Sequence, residues 1–338
     1  MVKRNFIPYL HLLMKKRIRK IIKRVFKETI DFLFIRLILK YKKFNAADSI
    51  ILFSEARGGS TWLMEMLRDT LNVCINWEPL HVNSGVVPKE NKLGWRPFIP
   101  KENIDDSYRT LFTNIHKFKI HSKWTRKYLT LKQLFRSKQV LVKYVRANLL
   151  VPYLLENFEY KYPPIFLLRH PIDTCLSHIR AFGDLENRSI ESQISDFIYN
   201  DRLLEYKDYV SRLDTRLEKK IALWCLNNCS TINQLNEYNL HIVFYSDLIL
   251  SPKKELENIL VKHNSSISTE KLAEGKLRKA SSTDFNNEFS HTVEKQLHKN
   301  FEILDNSEKD KIQMIFDYFD FQLYTAYSPF PNKDTMLR

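Results

Sequence analysis

The stretch IILFSEARGGSTWLMEML, residues 50–67, decides the fold. Ile50, Ile51, Leu52 and Phe53 are consecutive β-formers and predict a buried strand. Trp62 to Leu67 continue with helical character. Between them lie Arg57, Gly58, Gly59, Ser60 and Thr61, and this pair of glycines comes from a chain that has only 6 in 338 residues. A strand, a tight turn and a helix N-terminus make an anion site, because backbone N–H groups converge there and the helix dipole adds positive potential. Glycine lets the backbone approach an anion closely. Arg57 adds a fixed charge, and Ser60 and Thr61 add hydroxyl donors. The stretch predicts a site for a phosphate or a similar oxyanion; a structural turn without ligand is the competing reading.

Working outward, SIILFSE (49–55), QVLVKYV (139–145), PIFLLRH (164–170) and NLHIVFYSDL (239–248) read as short buried strands. Helical patterns fall at 61–71, 147–158, 172–183, 190–209 and 217–236. Strands that alternate with helices predict a three-layer α/β fold with a central parallel sheet. Residues 84–137 are polar, carry Pro88, Pro97 and Pro100, and show no period until about 107. They read as an insertion over the carboxyl edge of the sheet, where such folds bind ligands. Near the C-terminus, 305–323 reads as an N-capped helix with Ile312, Ile315, Phe316 and Phe319 inward.

The charge is uneven. Residues 1–43 hold fourteen Lys or Arg against Glu28 and Asp31, a balance of +12 out of the net +15, so the rest of the chain carries only +3. This excludes a general nucleic-acid surface on the main domain. It predicts a basic amphipathic arm over 1–46 and one domain over 47–338. In the arm, Ile18, Ile21, Ile22, Val25 and Phe26 recur at helical spacing, and Ile30, Leu33, Phe34, Leu37 and Ile38 continue the apolar face. ETIDFLFIRLIL (28–39) is too short to span a bilayer and is broken by Asp31 and Arg36. The arm reads as an element for an anionic membrane surface, as a helix packed on the domain, or as a segment that binds nucleic acid or another polyanion. Cys74, Cys175, Cys225 and Cys229 lack C-x-x-C spacing, and the expectation is reduced core thiols without a metal in a cytoplasmic protein, peripheral at the inner face of the membrane.

No Lys follows the glycines, so the nucleotide-triphosphatase pattern G-x-x-x-x-G-K-[ST] is absent, and so is G-x-G-x-x-G. RGGSTW (57–62) instead resembles the 5′-phosphosulfate loop of sulfotransferases that use 3′-phosphoadenosine-5′-phosphosulfate (PAPS). LLRHPIDTCLSHIRAF (167–182) resembles the family's 3′-phosphate element, through Arg169, Pro171, Asp173 and Ser177. NWEPLHV (76–82), the Lys143 and Arg146 stretch of 140–155, and LW (223–224) with FYSDL (244–248) and Pro252 are similar to segments of the carbohydrate branch. RKASSTDF (278–285) loosely resembles its late nucleotide-closing loop. The resemblance covers roughly 49–260 and is to a form without a transmembrane anchor.

The resemblance implies a P-loop-like three-layer fold and transfer of a sulfuryl group from PAPS to a carbohydrate hydroxyl on a glycan or glycolipid, leaving PAP. It implies Glu78 as general base with His81 as runner-up, and Arg57 at the leaving phosphate. Arg57, Gly58, Gly59, Ser60, Thr61 and Trp62 would line the phosphosulfate, Arg169 and Ser177 the 3′-phosphate, and Lys279 and Ser281 the closing loop. Asp173 would order its loop, and Trp62 serves equally as core. Lys143 and Arg146 would meet the acceptor or stand as solvated charges. The alternatives are a nucleotide-dependent kinase and a non-catalytic protein that binds membranes or polyanions.

Overall fold

The computed structural model describes residues 26, 29–91, 93–183, 206–263 and 293–337. Five short parallel strands form one sheet in the order β2-β3-β1-β4-β5. They are β1 (Ile50–Ser54), β2 (Cys74–Trp77), β3 (Val140–Val145), β4 (Ile165–Leu168) and β5 (His241–Phe244). This is the α/β architecture with a central parallel sheet and flanking helices that the alternation predicts. Apolar residues on both faces of the strands explain it. Ile51 and Phe53 join one core with Val142, Tyr144, Phe166 and Leu168. Ile50 and Leu52 join the other with Leu141, Ile165, Leu167 and Val243. A strand buried on both sides cannot stay at a solvated edge, so helices cover each face.

On one face lies α2 (Ser60–Leu71), with Trp62, Leu63 and Leu67 buried, beside the helix Pro252–Lys262. On the other lie α3 (Asp106–His116), α5 (Val151–Asn157), α6 (Pro171–Phe182) and the helices Arg216–Ile232 and Asn306–Tyr318. A helix over 29–41, here α1, adds Ile35 to that core, and the short α4 (Leu131–Arg136) precedes β3. Asp305 caps the helix Asn306–Tyr318 in a reciprocal capping box with Glu308, and Ile312, Ile315, Phe316 and Phe319 are buried as expected. The four cysteines are free and buried.

The structure corrects three expectations. The strand β2 is new: CINW is only four residues long and carries Cys and Asn, which hide it from a search for apolar runs. Residues 84–137 are more than a cover, because two adjacent parallel strands need a crossover and α3 supplies it between β2 and β3. Its Leu111, Phe112 and Ile115 enter the core, and Asn76 and Ser49 bind the carbonyls of Ile115 and His116 at its C-terminal end. The expected strand 239–248 ends at Phe244, and Tyr245–Leu250 turns helical. In α1 the buried residue is Ile35, and Leu33, Phe34 and Leu37 of the expected apolar face are exposed. The helix expected at 190–209 falls largely outside the described residues, apart from Lys207–Arg212.

The order of the strands locates the site. From β1 the chain runs to β2 and β3 on one side, then crosses to β4 and β5 on the other. The direction of winding reverses between β1 and β4, and ligands bind at the carboxyl ends beside such a reversal. The two motif loops leave these two strands, whose ends are in register at Ser54 and Leu167. Phe166 is fully buried in the same sheet, and Ile104 is 94% exposed. Phe166→Ala should cost about 3–5 kcal/mol in urea unfolding, and Ile104→Ala should fall within about 0.5 kcal/mol of the parent. Equal costs would contradict this assignment of the core.

Candidate active site

The two glycines have separate physical reasons. A Cβ on Gly58 would lie 2.3 Å from Ser54 Oγ and 2.9 Å from the Glu55 carbonyl oxygen, so the turn has no room for a side chain. Gly59 has φ +94°, the left-handed conformation, and a Cβ there would lie 2.5 Å from the Tyr245 ring. Gly59 is the N-cap of α2 and no side chain caps it. The first turn of α2 holds no acid, so its N–H groups and its dipole face the carboxyl edge uncompensated. Ser60 and Thr61 are buried at this end, and Trp62 lies in the apolar core against the sheet.

Arg57 also has positive φ, +67°, which costs a residue with a Cβ roughly 1–2 kcal/mol. Tertiary contacts hold it there. Arg169 donates from a terminal guanidinium nitrogen to the Arg57 carbonyl at 3.0 Å. Arg57 Nε donates to Ser177 Oγ at 3.1 Å. The loop after β1 and the helix after β4 are thus tied in both directions by the residues that the sequence singles out. The Arg169 guanidinium lies 4.3 Å from the Tyr245 ring centroid and 3.7 Å from Asp173 Oδ2. Asp173 is buried and accepts from Asn300, which accepts in turn from Arg180 at 2.9 Å. Asp173 therefore faces this network rather than open space, in line with a role in ordering the loop.

The third component follows β2. Glu78 (φ +42°) donates its N–H to the Lys143 carbonyl at 3.0 Å. Its carboxylate accepts from Lys143 Nζ at 2.8 Å, and the same ammonium donates to Thr61 Oγ1 at 3.2 Å. Lys143 is 2% exposed, not a solvated charge, and its Nζ stands 3.6 Å from the Trp77 ring centroid. Burial lowers its pKa, and the Glu78 carboxylate opposes that shift. Because Thr61 Oγ1 accepts from Lys143, its own hydrogen remains to be donated elsewhere. Arg146 (φ +61°) follows β3 and lies 5.4 Å from the Trp95 ring centroid. Arg57, Glu78 and Arg146 thus put left-handed backbone just past three neighbouring strands, the kind of strain that gathers at working sites.

His81 lies beside Glu78, with ring centroids 5.0 Å from Trp95 and 4.6 Å from Trp124. Burial lowers its pKa and Arg146 adds to this, while Glu78 pulls the other way. Trp124 and Tyr128 also pack on Trp77, at 6.5 and 4.3 Å. The carboxylate thus sits by an aromatic wall with cations around it. Lys279 and Ser281 lie outside the described residues.

Two contributors were given no role in the sequence reading, although Tyr245 lies in the FYSDL segment noted there. Tyr245 fills the space over Gly59 and lies against Arg169. His170 caps α6: its Nδ1 accepts from the Ile172 N–H at 3.1 Å, which leaves Nε2–H to donate to the Thr325 carbonyl at 3.0 Å. A histidine next to the motif arginine is the only local signal for it. Among the described residues no group of three or more His, Cys, Asp or Glu is arranged to hold a metal.

No protein-family model matches the chain, and no curated protein matches it. Among solved structures it is similar to the sulfotransferase domain from the curacin biosynthetic pathway, at 16% identity and TM-score 0.41, over 82% of this chain and 99% of that one. It is also similar to the sulfotransferase domain from the Synechococcus PCC 7002 olefin synthase, at 16% identity and TM-score 0.43, over 83% and 97%.

His170 provides a test of how the site is held. Burial, the largest influence, pushes its pKa down to about 4 from 6.5. The native imidazole stays neutral where the unfolded chain takes up a proton, so stability should fall as pH drops from about 6.5 toward 4. His170→Asn keeps a capping acceptor and removes the proton uptake. Urea unfolding across this window should show a shallower loss for the variant, and identical slopes would contradict the neutral cap.

Proposed function

We propose that the protein is a sulfotransferase that moves the sulfuryl group of PAPS to a carbohydrate hydroxyl, with Glu78 as general base. One observation carries this reading. Two strand-end loops at the winding reversal are tied through Arg57, Arg169 and Ser177, and Lys143 links the first of them to Glu78. A site for anionic groups and a carboxylate are thus fixed to each other by one buried ammonium.

In this reading the N–H groups at the start of α2, the Thr61 hydroxyl and the Arg57 guanidinium receive the 5′ phosphate, where charge builds as its bond to sulfur breaks. Arg169 and Ser177 receive the 3′-phosphate, for which a guanidinium offers paired donors. The acceptor oxygen bonds to sulfur as Glu78 takes its proton, and PAP departs. Lys143 positions Glu78. The sulfuryl group carries less charge than a phosphoryl group, so guanidinium, ammonium and backbone donors are sufficient partners for it. The carbohydrate assignment is supported by the half-buried Trp95 and Trp124 beside His81, whose flat rings suit the C–H faces of a sugar.

The test is transfer from PAPS to a panel of glycolipids, with PAP release as readout. Arg57→Ala should raise the barrier by about 2.7–4 kcal/mol, the cost of losing one such donor. Glu78→Gln should lower kcat by roughly 10²–10⁴ and leave PAP affinity unchanged. A Glu78→Gln enzyme with full turnover would remove the base assignment. No transfer to any glycolipid, from protein that binds PAP, would remove the carbohydrate assignment.

A further inference from the structure

The helix α1 has two apolar faces and uses only one of them on the domain. Ile35 is buried in the core, and Ile38 and Leu39 pack against it partly buried. Phe32, on the same side, meets the His121 ring at 6.1 Å and the Arg126 guanidinium at 5.2 Å. Lys42 donates to the Phe135 carbonyl at 2.6 Å. The opposite side has no such partner among the described residues. Leu33, Leu37 and Tyr41 stand four residues apart in one row and are 58%, 53% and 76% exposed. Phe34, in the next row, is 50% exposed. Arg36 and Lys40, both exposed, fall along one flank of this stripe, and the exposed Lys43 follows just past the end of the helix.

We infer that this face of α1 is a docking surface for an anionic lipid bilayer, lying in the plane of the membrane with Leu33, Phe34, Leu37 and Tyr41 at the acyl boundary. Charge complementarity selects the occupant. The first 43 residues carry +12 of the chain's +15, and a bilayer with anionic headgroups attracts such a segment without needing a matched protein surface. An exposed apolar stripe with a cationic flank is the arrangement by which helices lie in a lipid interface. A helix that must pack on a domain and bind lipid at once needs the two faces seen here.

The placement deepens the functional reading and rests on it. The segment 118–128, which receives Phe32 of α1, also carries Trp124, which packs on His81 and Trp77. That segment joins α1 to the surroundings of Glu78, where an acceptor carried by a lipid would have to arrive.

The experiment is cosedimentation of the full chain with vesicles of phosphatidylcholine alone or mixed with phosphatidylglycerol. It compares the parent with Leu33→Glu/Leu37→Glu, alongside melting midpoints, sedimentation velocity and PAP titration. The parent should bind the mixed vesicles and ignore the neutral ones. The double variant should bind about tenfold or more weakly, the loss expected when two leucines no longer enter the boundary. Its melting midpoint and PAP affinity should be unchanged. Unaltered vesicle binding by the variant, or none by the parent, would overturn the inference. So would a lower melting midpoint, which would mean that the chain itself covers the face, or a loss of self-association, which would mean that a second copy does. A chain that takes up PAP but ignores both vesicles contradicts this inference alone. One that binds mixed vesicles but not PAP contradicts the nucleotide reading alone.

Discussion

Arg169 donating to the carbonyl of Arg57 holds the site in its shape. The contact joins the ends of two neighbouring strands, and it does so at a residue whose backbone is left-handed and disfavoured for a side chain with a Cβ. Without a partner for that carbonyl, Arg57 has reason to relax, and with it would move the start of α2 and Thr61. The contact also settles how two guanidinium groups can lie near each other. Asp173, Ser177 and the face of Tyr245 surround them, so each cation has a neutral or anionic neighbour. An arrangement that gathers this much positive charge at one edge suits an anionic ligand with two separate charged ends.

The second constraint is the burial of Lys143. An ammonium removed from water is costly unless it is paired and hydrogen-bonded. Glu78, Thr61 and the Trp77 ring meet that cost together. Loss of Glu78 would leave the buried ammonium without a countercharge, so electrostatics helps to fix the geometry of Glu78 relative to the loop after β1.

Much of this was legible in the sequence because it is local. A glycine pair in a chain poor in glycine, set between a strand and a helix, announces the first loop, and Arg169 and Ser177 lie eight residues apart in the strand-to-helix segment that forms the second. What was missed depends on partners far along the chain. Lys143 reads as an acceptor contact or a solvated charge until Glu78, 65 positions earlier, is placed beside it. The capping role of His170 is completed by Thr325, 155 positions later. The strand β2 was hidden because pairing with β3, rather than its own composition, makes it a strand. The face that α1 turns to the domain was not legible for a related reason. Apolar residues lie all around it, and only the presence of the domain chooses Ile35 over Leu33 and Leu37.

The central claim is that Arg57, Arg169 and Ser177 form one nucleotide site at the winding reversal of the sheet. Calorimetric titration of PAP into the purified chain, alongside Arg169→Ala, tests it most directly. The account predicts micromolar binding by the parent and its loss in the variant, with the variant still folded. No binding by a folded parent, or equal binding by both proteins, would contradict it.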